Sequence, residues 1–227
     1  IEWWFPELQF VKHQDNDTYR SAITFAAVDG ALIENIEVDG VRSIHTGNVI
    51  YLRIGDRWSA GKKPIMKNIT IKNVYAEIPM DKPDAGYNYE GPIEDLPRNI
   101  SPASIVGLPE YKIQNVTLQN IEIVSPGGGN PYYAYGIGTA ELDSIPEMAT
   151  SYPEFSQFKE LPAWGFYIRH AEGITFDNVT FKALKKDYRP AIVMDDAGEV
   201  TFKDVRFIEP EGEGKKQIFP YKSKVIK

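Results

Sequence analysis

The pattern asparagine, apolar, threonine, apolar, any residue, asparagine, apolar recurs along this chain, and that recurrence constrains the fold more than any single residue does. It reads Asn68-Ile-Thr-Ile-Lys-Asn73-Val74 and again Asn115-Val-Thr-Leu-Gln-Asn120-Ile121, with looser copies over 35–41, 173–179 and 199–205. Apolar residues stand two apart in each copy, as in Ile69/Ile71, Val116/Leu118, Ile174/Phe176 and Val200/Phe202. That is the period of a strand with one buried face. Each copy then closes on a residue suited to a tight turn: Gly40, Asn73, Asn120, Asn178 or Asp204. Stacked turns let each side-chain amide bond its counterpart one layer away, about 4.8 Å along the stack. The asparagines therefore read as a structural ladder.

The copies begin at 35, 68, 115, 173 and 199, so they are 33, 47, 58 and 26 residues apart. A real repeat with unequal spacing is a solenoid loaded with insertions, which is where such architectures carry function. The pattern predicts an all-β chain forming a right-handed single-stranded parallel β-helix, with one domain over 1–227 and long loop insertions at 75–110 and 122–164. A further coil is expected at Val49-Ile-Tyr-Leu-Arg-Ile54. Residues 1–30, with Trp3, Trp4, Phe5, Phe10 and the run Ser21-Ala-Ile-Thr-Phe-Ala-Ala, read as more coil material with no capping helix, so the natural protein is expected to continue upstream. Phe219-Pro-Tyr-Lys-Ser-Lys-Val-Ile-Lys reads as a last edge strand, its Pro and nearby lysines (Lys216, Lys222, Lys224, Lys227) discouraging further pairing.

Composition narrows the function. With 25 basic and 32 acidic residues the net charge is −7, against general nucleic-acid binding. No apolar run is long enough to span a membrane. The absence of cysteine removes disulfides and thiolate metal sites. The three histidines, His13, His45 and His170, are not spaced as metal ligands, so no metal and no cofactor is expected.

Ala22-Ile-Thr-Phe-Ala-Ala-Val-Asp-Gly30, Ile33-Glu-Asn-Ile-Glu-Val38 and Tyr51-Leu-Arg-Ile-Gly-Asp-Arg57 resemble the later coils of family 28 of the glycoside hydrolases, the polygalacturonases and rhamnogalacturonases. Trp164-Gly-Phe-Tyr-Ile-Arg-His-Ala-Glu-Gly-Ile-Thr-Phe176 and Arg189-Pro-Ala-Ile-Val-Met-Asp-Asp196 look like the C-terminal coils of its bacterial pectin-degrading branch. The resemblance implies a pectin-lyase-like solenoid and inverting hydrolysis of polygalacturonan or rhamnogalacturonan. It transfers only in part. Arg53-Ile54 matches an Arg-Ile-Lys motif with Gly55 in place of the lysine, and Tyr19-Arg20 stands where Gly-His is expected. The aspartate motifs would precede residue 1, so no catalytic residue is assigned and the chain is read as a C-terminal, substrate-binding portion.

Inverting glycosidases need two carboxyl groups roughly 6.5–9.5 Å apart. Asp195 and Asp196 are consecutive, so in a flat strand they face opposite ways and converge only at a turn. Arg53 is the candidate to grip a uronate carboxylate bidentately, and Arg57, a further substrate-binding candidate, joins Lys62, Lys63 and Lys67 in making the neighbourhood basic. The competing reading of Arg53 is a salt bridge to Asp56, Asp39 or a loop carboxylate. His45, Arg169, His170 and Trp164 complete the candidate substrate-binding set. Insertion aromatics (Tyr87, Tyr89, Tyr132, Tyr133, Tyr135, Tyr152, Phe155, Phe158) either stack on sugar or pack on the solenoid wall.

The expected partner is acidic plant-type polysaccharide, with no nucleic acid, and a polymer-degrading role places the protein in a secreted or periplasmic location. A non-catalytic polysaccharide-binding or scaffold β-helix is the alternative. A calcium-dependent pectate lyase is a third reading, distinguishable by an unsaturated, ultraviolet-absorbing product.

Overall fold

The structure, a computed structural model, describes residues 21–78, 102–129, 139–153, 155, 158, 161–211 and 216–226. Five layers of strand follow one another: β1 (Ser21–Ala27) with β2 (Leu32–Ile44), β3 (Asn48–Ile54) with β4 (Ile65–Glu77), β5 (Ala103–Val106) with β6 (Ile113–Ser125), then β7 (Phe166–Ala183) and β8 (Ile192–Ile208). Short β9 (Ile218–Tyr221) and β10 (Val225–Ile226) both pair with β8. One α-helix occurs among the described residues, α1 (Thr139–Asp143). The fold is all-β, and every pairing between named strands is parallel.

The register turns the sequence repeat into rows. Ile36, Ile69, Val116, Ile174 and Val200 stack in line, as do Val38, Ile71, Leu118, Phe176 and Phe202. On the preceding strands Phe25, Leu52, Ile105, Ile168 and Met194 make the matching row. These rows meet in one continuous apolar core. Phe176 stacks on Phe202 with centroids 5.2 Å apart, and Phe181 on Phe207 at 5.8 Å. Like residues can lie face to face because parallel register places equivalent positions one strand spacing apart.

The asparagines form two ladders. Asn115 donates to Asn68 (3.1 Å) and Asn68 to Asn35 (3.0 Å); Asn178 donates to Asn120 (3.0 Å) and Asn120 to Asn73 (3.1 Å). Gly40 has no amide to continue the second ladder, and Asn73 donates instead to Asp39 at 2.6 Å. All six asparagines sit in the left-handed region, φ 52° to 57°, which Asn tolerates better than other side-chain-bearing residues. The strand does not close at these residues, as the sequence reading expected. It bends there and runs on, so β2, β4 and β6 each continue for 13 residues through both positions.

Two further expectations change. Val49–Ile54 is a strand, but it lies in the same layer as β4 and pairs with β1 and β5, so it is no separate coil. Ala103–Val106, placed by sequence inside the first insertion, is β5; its Ile105 fills the core row between Leu52 and Ile168, and a four-residue strand carries too little periodicity to be seen. Tyr75–Glu77 and Glu122–Ser125 likewise complete β4 and β6 rather than starting insertions. Trp3, Trp4, Phe5, Phe10, His13, Tyr19, Arg20, Tyr87, Tyr89, Tyr132, Tyr133, Tyr135 and Lys227 lie outside the described residues. No helix among the described residues is long and apolar enough to cross a membrane.

Candidate functional site

The outer face of β3, β5, β7 and β8 is not a polar wall. Its outward positions include Tyr51, Val106, Tyr167 and Val193, and α1 with the described residues up to 163 covers them, inserting Leu142, Ile145, Phe155, Phe158, Leu161 and Ala163. This strap buries Phe155 and Phe158 in a second apolar cluster and leaves Tyr152 half exposed. Of the aromatics expected in the second insertion, Phe155 and Phe158 therefore pack on the wall and Tyr152 faces water.

One row beyond this cluster the outward positions become charged. Arg53, Val106, Arg169, Asp195 and Tyr221 share a register line. The next column holds Gly107, His170, Asp196 and Lys222, the last three with φ of 49°, 52° and 47°. An added Cβ at Gly107 would lie 2.3 Å from the His170 carbonyl oxygen, so only glycine fits between these layers. The left-handed bend brings Asp195 and Asp196 to the same charged cluster, the turn geometry that consecutive aspartates need.

Glu147 of the strap is the hub. Its carboxylate forms an ion pair with Arg169 Nη2 at 2.7 Å and faces His170 Nε2 at 3.1 Å, while its carbonyl accepts from Arg53 Nη2 at 2.6 Å. Arg169 also donates to the Ile145 carbonyl at 2.7 Å, and its Nε lies 3.2 Å from Asp195 Oδ2 in an ion pair too poorly aligned to be a hydrogen bond. His170 Nδ1 faces Asp196 Oδ2 at 2.8 Å, and Asp196 takes Lys112 Nζ at 2.8 Å on its other oxygen. An imidazolium can donate to both carboxylates at once, whereas a neutral ring donates to one.

Environment splits the three carboxyl groups. Burial pushes the Asp195 carboxyl up despite Arg169 and His170. Burial also acts against Glu147 and Asp196, but His170 with Arg169 and Arg53 in the first case, and Lys112 with His170 in the second, holds each below the usual carboxylate range. Burial pushes the Tyr167 phenol well up. Of these three carboxyl groups, Glu147 and Asp196 reach solvent, with side chains 34% and 35% exposed. No group of three or more His, Asp or Glu among the described residues is arranged to hold a metal.

The candidate residues named from sequence fall into three places. Arg53, Arg169 and His170 join in this cluster and are buried, Arg53 at 2% exposure with its guanidinium 5.5 Å from the Phe158 ring. Its partners are strap and β5–β6 carbonyls, while Asp39 pairs with Lys72. Trp164 is 1% exposed in the main core, edge-on to Phe181. His45, φ 64°, stands exposed just past β2 and makes no hydrogen bond or ion pair among the described residues. Arg57 is exposed, its guanidinium 4.7 Å from the Trp58 ring and 5.6 Å from the Tyr152 ring. Sequence reasoning missed Glu147, Lys112 and Trp58. Nothing periodic marks the first two; a tryptophan in the polar run Asp56-Arg-Trp-Ser-Ala-Gly-Lys-Lys63 was a legible signal. No family model, curated protein or solved structure matches the chain.

Proposed function

We propose that the chain is the substrate-binding portion of a glycoside hydrolase acting on acidic, pectin-type polysaccharide, wound as a right-handed single-stranded parallel β-helix and working in a secreted or periplasmic setting. Parallel strands joined across a crossover are right-handed in nearly all proteins, which favours that hand. The observation that carries the functional reading is the border of the strapped face: the solvent-facing carboxylates of Glu147 and Asp196 lie on either side of His170, and exposed Arg57, in the β3–β4 connection, bonds the same strap at the Thr150 carbonyl. Carboxylates, a histidine and an open guanidinium along one face supply the groups that an acidic sugar polymer contacts. The resemblance of 22–57 and 164–196 to family 28 points the same way.

A second reading, a non-catalytic polysaccharide-binding wall, is favoured by the internal pairing of Arg53, Arg169 and His170, which leaves few donors for a reacting sugar. Reducing-end release from homogalacturonan and rhamnogalacturonan separates the two, read beside ultraviolet absorbance for an eliminative product. Release without new absorbance supports the hydrolase. Binding by the folded chain, with no release either from it or from a protein extended upstream, moves the assignment to the wall, and new absorbance replaces hydrolysis by elimination.

A further inference from the structure

We propose that Arg57, Trp58 and Tyr152 form a subsite that stacks and charge-pairs with one carboxylated sugar ring. Large aromatic side chains on a protein surface are normally scattered singly or at least half covered. Trp58 and Tyr152 are 58% and 50% exposed, and they come together around one guanidinium, although 94 positions separate them in sequence (152 − 58). Arg57 spends one N–H, Nη1, on the Thr150 carbonyl at 3.3 Å. Among the described residues no carboxylate pairs with it. An exposed arginine within reach of two exposed rings, with one N–H used internally, is built to receive an anion whose remainder is apolar.

The mounting is stiff. The Trp58 amide donates to the Val28 carbonyl at 2.9 Å, the Asp56 amide to Ala149 at 2.7 Å and the Lys62 amide to Ser59 at 2.9 Å. Gly30, φ 75°, lies against Lys62, where a Cβ would come within 2.3 Å of the lysine Cβ, so the turn packs directly on the β1–β2 connection. The Asp56–Ala149 bond fixes the turn to the strap, and therefore Trp58 to Tyr152. Ordering cost at binding is correspondingly small.

The chemistry selects the ligand. A pyranose ring offers a C–H face to an aromatic side chain, and a carboxylate accepts two parallel N–H bonds from a guanidinium. Uronic acids carry both on one ring. Residues 56–63 hold Arg57, Lys62 and Lys63 against Asp56 alone, a local cationic excess in a chain of net charge −7. This subsite rests on the polysaccharide reading above but not on catalysis.

The test is binding of oligogalacturonate, and of its fully methyl-esterified form as the uncharged control, to the full chain and to Arg57→Gln, Trp58→Ala and Tyr152→Ala, by calorimetry and tryptophan fluorescence. The wild type is expected to prefer the charged oligomer by tenfold or more, as charge-assisted hydrogen bonds do. Arg57→Gln loses that preference and keeps ester binding. Trp58→Ala and Tyr152→Ala weaken both ligands. Thermal unfolding controls for folding, since the three side chains are exposed. Unchanged affinities in all three variants, equal binding of acid and ester by the wild type, or no binding of either by the wild type overturns the subsite. Reducing-end release together with variant-insensitive binding sinks the subsite and leaves the hydrolase; variant-sensitive binding without release does the reverse.

Discussion

At the scale of the residue, the asparagine ladders combine two effects that substitution can separate. Asn120 donates to Asn73, accepts from Asn178, and holds φ 52°. Alanine removes both side-chain bonds and also meets the left-handed penalty of about 1–2 kcal/mol; glycine removes the same bonds without that penalty. Each exposed bond contributes about 0.5–1.5 kcal/mol net. Asn120→Ala is therefore expected to unfold at lower urea than Asn120→Gly, by about 1 kcal/mol, and both below wild type. Equal stability of the two variants would show that backbone conformation contributes nothing at this bend. The same residues explain why so much of the fold was legible. The spacings 33, 47 and 58, read from sequence, return as the separations between hydrogen-bonded ladder partners, because a ladder asparagine must recur once per layer whatever the insertion between.

At the scale of the element, the strap was legible only as an insertion. Its apolar residues, Leu142, Ile145, Phe155 and Phe158, follow no strand or helix period, since a covering segment takes its spacing from the surface beneath it. The charged cluster was half legible for a related reason. Arg53, Arg169 and the aspartates drew attention as residue types, but their common partner, Glu147, is 94 positions from Arg53 (147 − 53) and belongs to no motif. Arg169 holds Ile145 and Glu147 of the strap and faces Asp195 of β8. Arg169→Ala removes the cation between two carboxylates and is expected to cost about 3–5 kcal/mol, the usual consequence of stripping one partner from a buried ion pair. The loss should be directional. Limited proteolysis should cut residues 139–163 first in the variant, while amides of β4 and β6, which Arg169 does not touch, keep their hydrogen-exchange protection. Uniform loss of protection across all strands would mean that the strap and the stack are one cooperative unit.

At the scale of the whole molecule, the connections between layers are tied by a buried pair that no repeat pattern announces. Asp187 and Arg189 are both fully buried; Asp187 accepts the Gly129 amide at 3.0 Å, and Arg189 Nη1 donates to the Leu161 carbonyl at 3.0 Å. The pair thus joins the exit of β6, the end of the strap and the β7–β8 connection. Burial acts to raise the Asp187 carboxyl, but Arg189 and the Gly129 amide hold it below the ordinary value. A carboxylate lowered in the folded state contributes stability that is complete above the unfolded value of about 3.9 and is lost as pH falls through the folded one. Asp195, raised by burial, works the other way, losing stability as pH rises above about 4, but Asp187, Glu147 and Asp196 together outnumber it. The urea midpoint of the wild type is thus expected to fall from pH 6 towards pH 3. Asp187→Asn removes the carboxylate that accepts two guanidinium bonds from buried Arg189, so at pH 7 it should be less stable than wild type by about 3–5 kcal/mol. As the wild-type carboxylate protonates, that gap must narrow. Urea titrations of both proteins at pH 7, 5 and 3 check the coupling, and a gap of constant size across the series would mean that Asp187 stabilises the fold by shape and hydrogen bonding alone, with its charge playing no part.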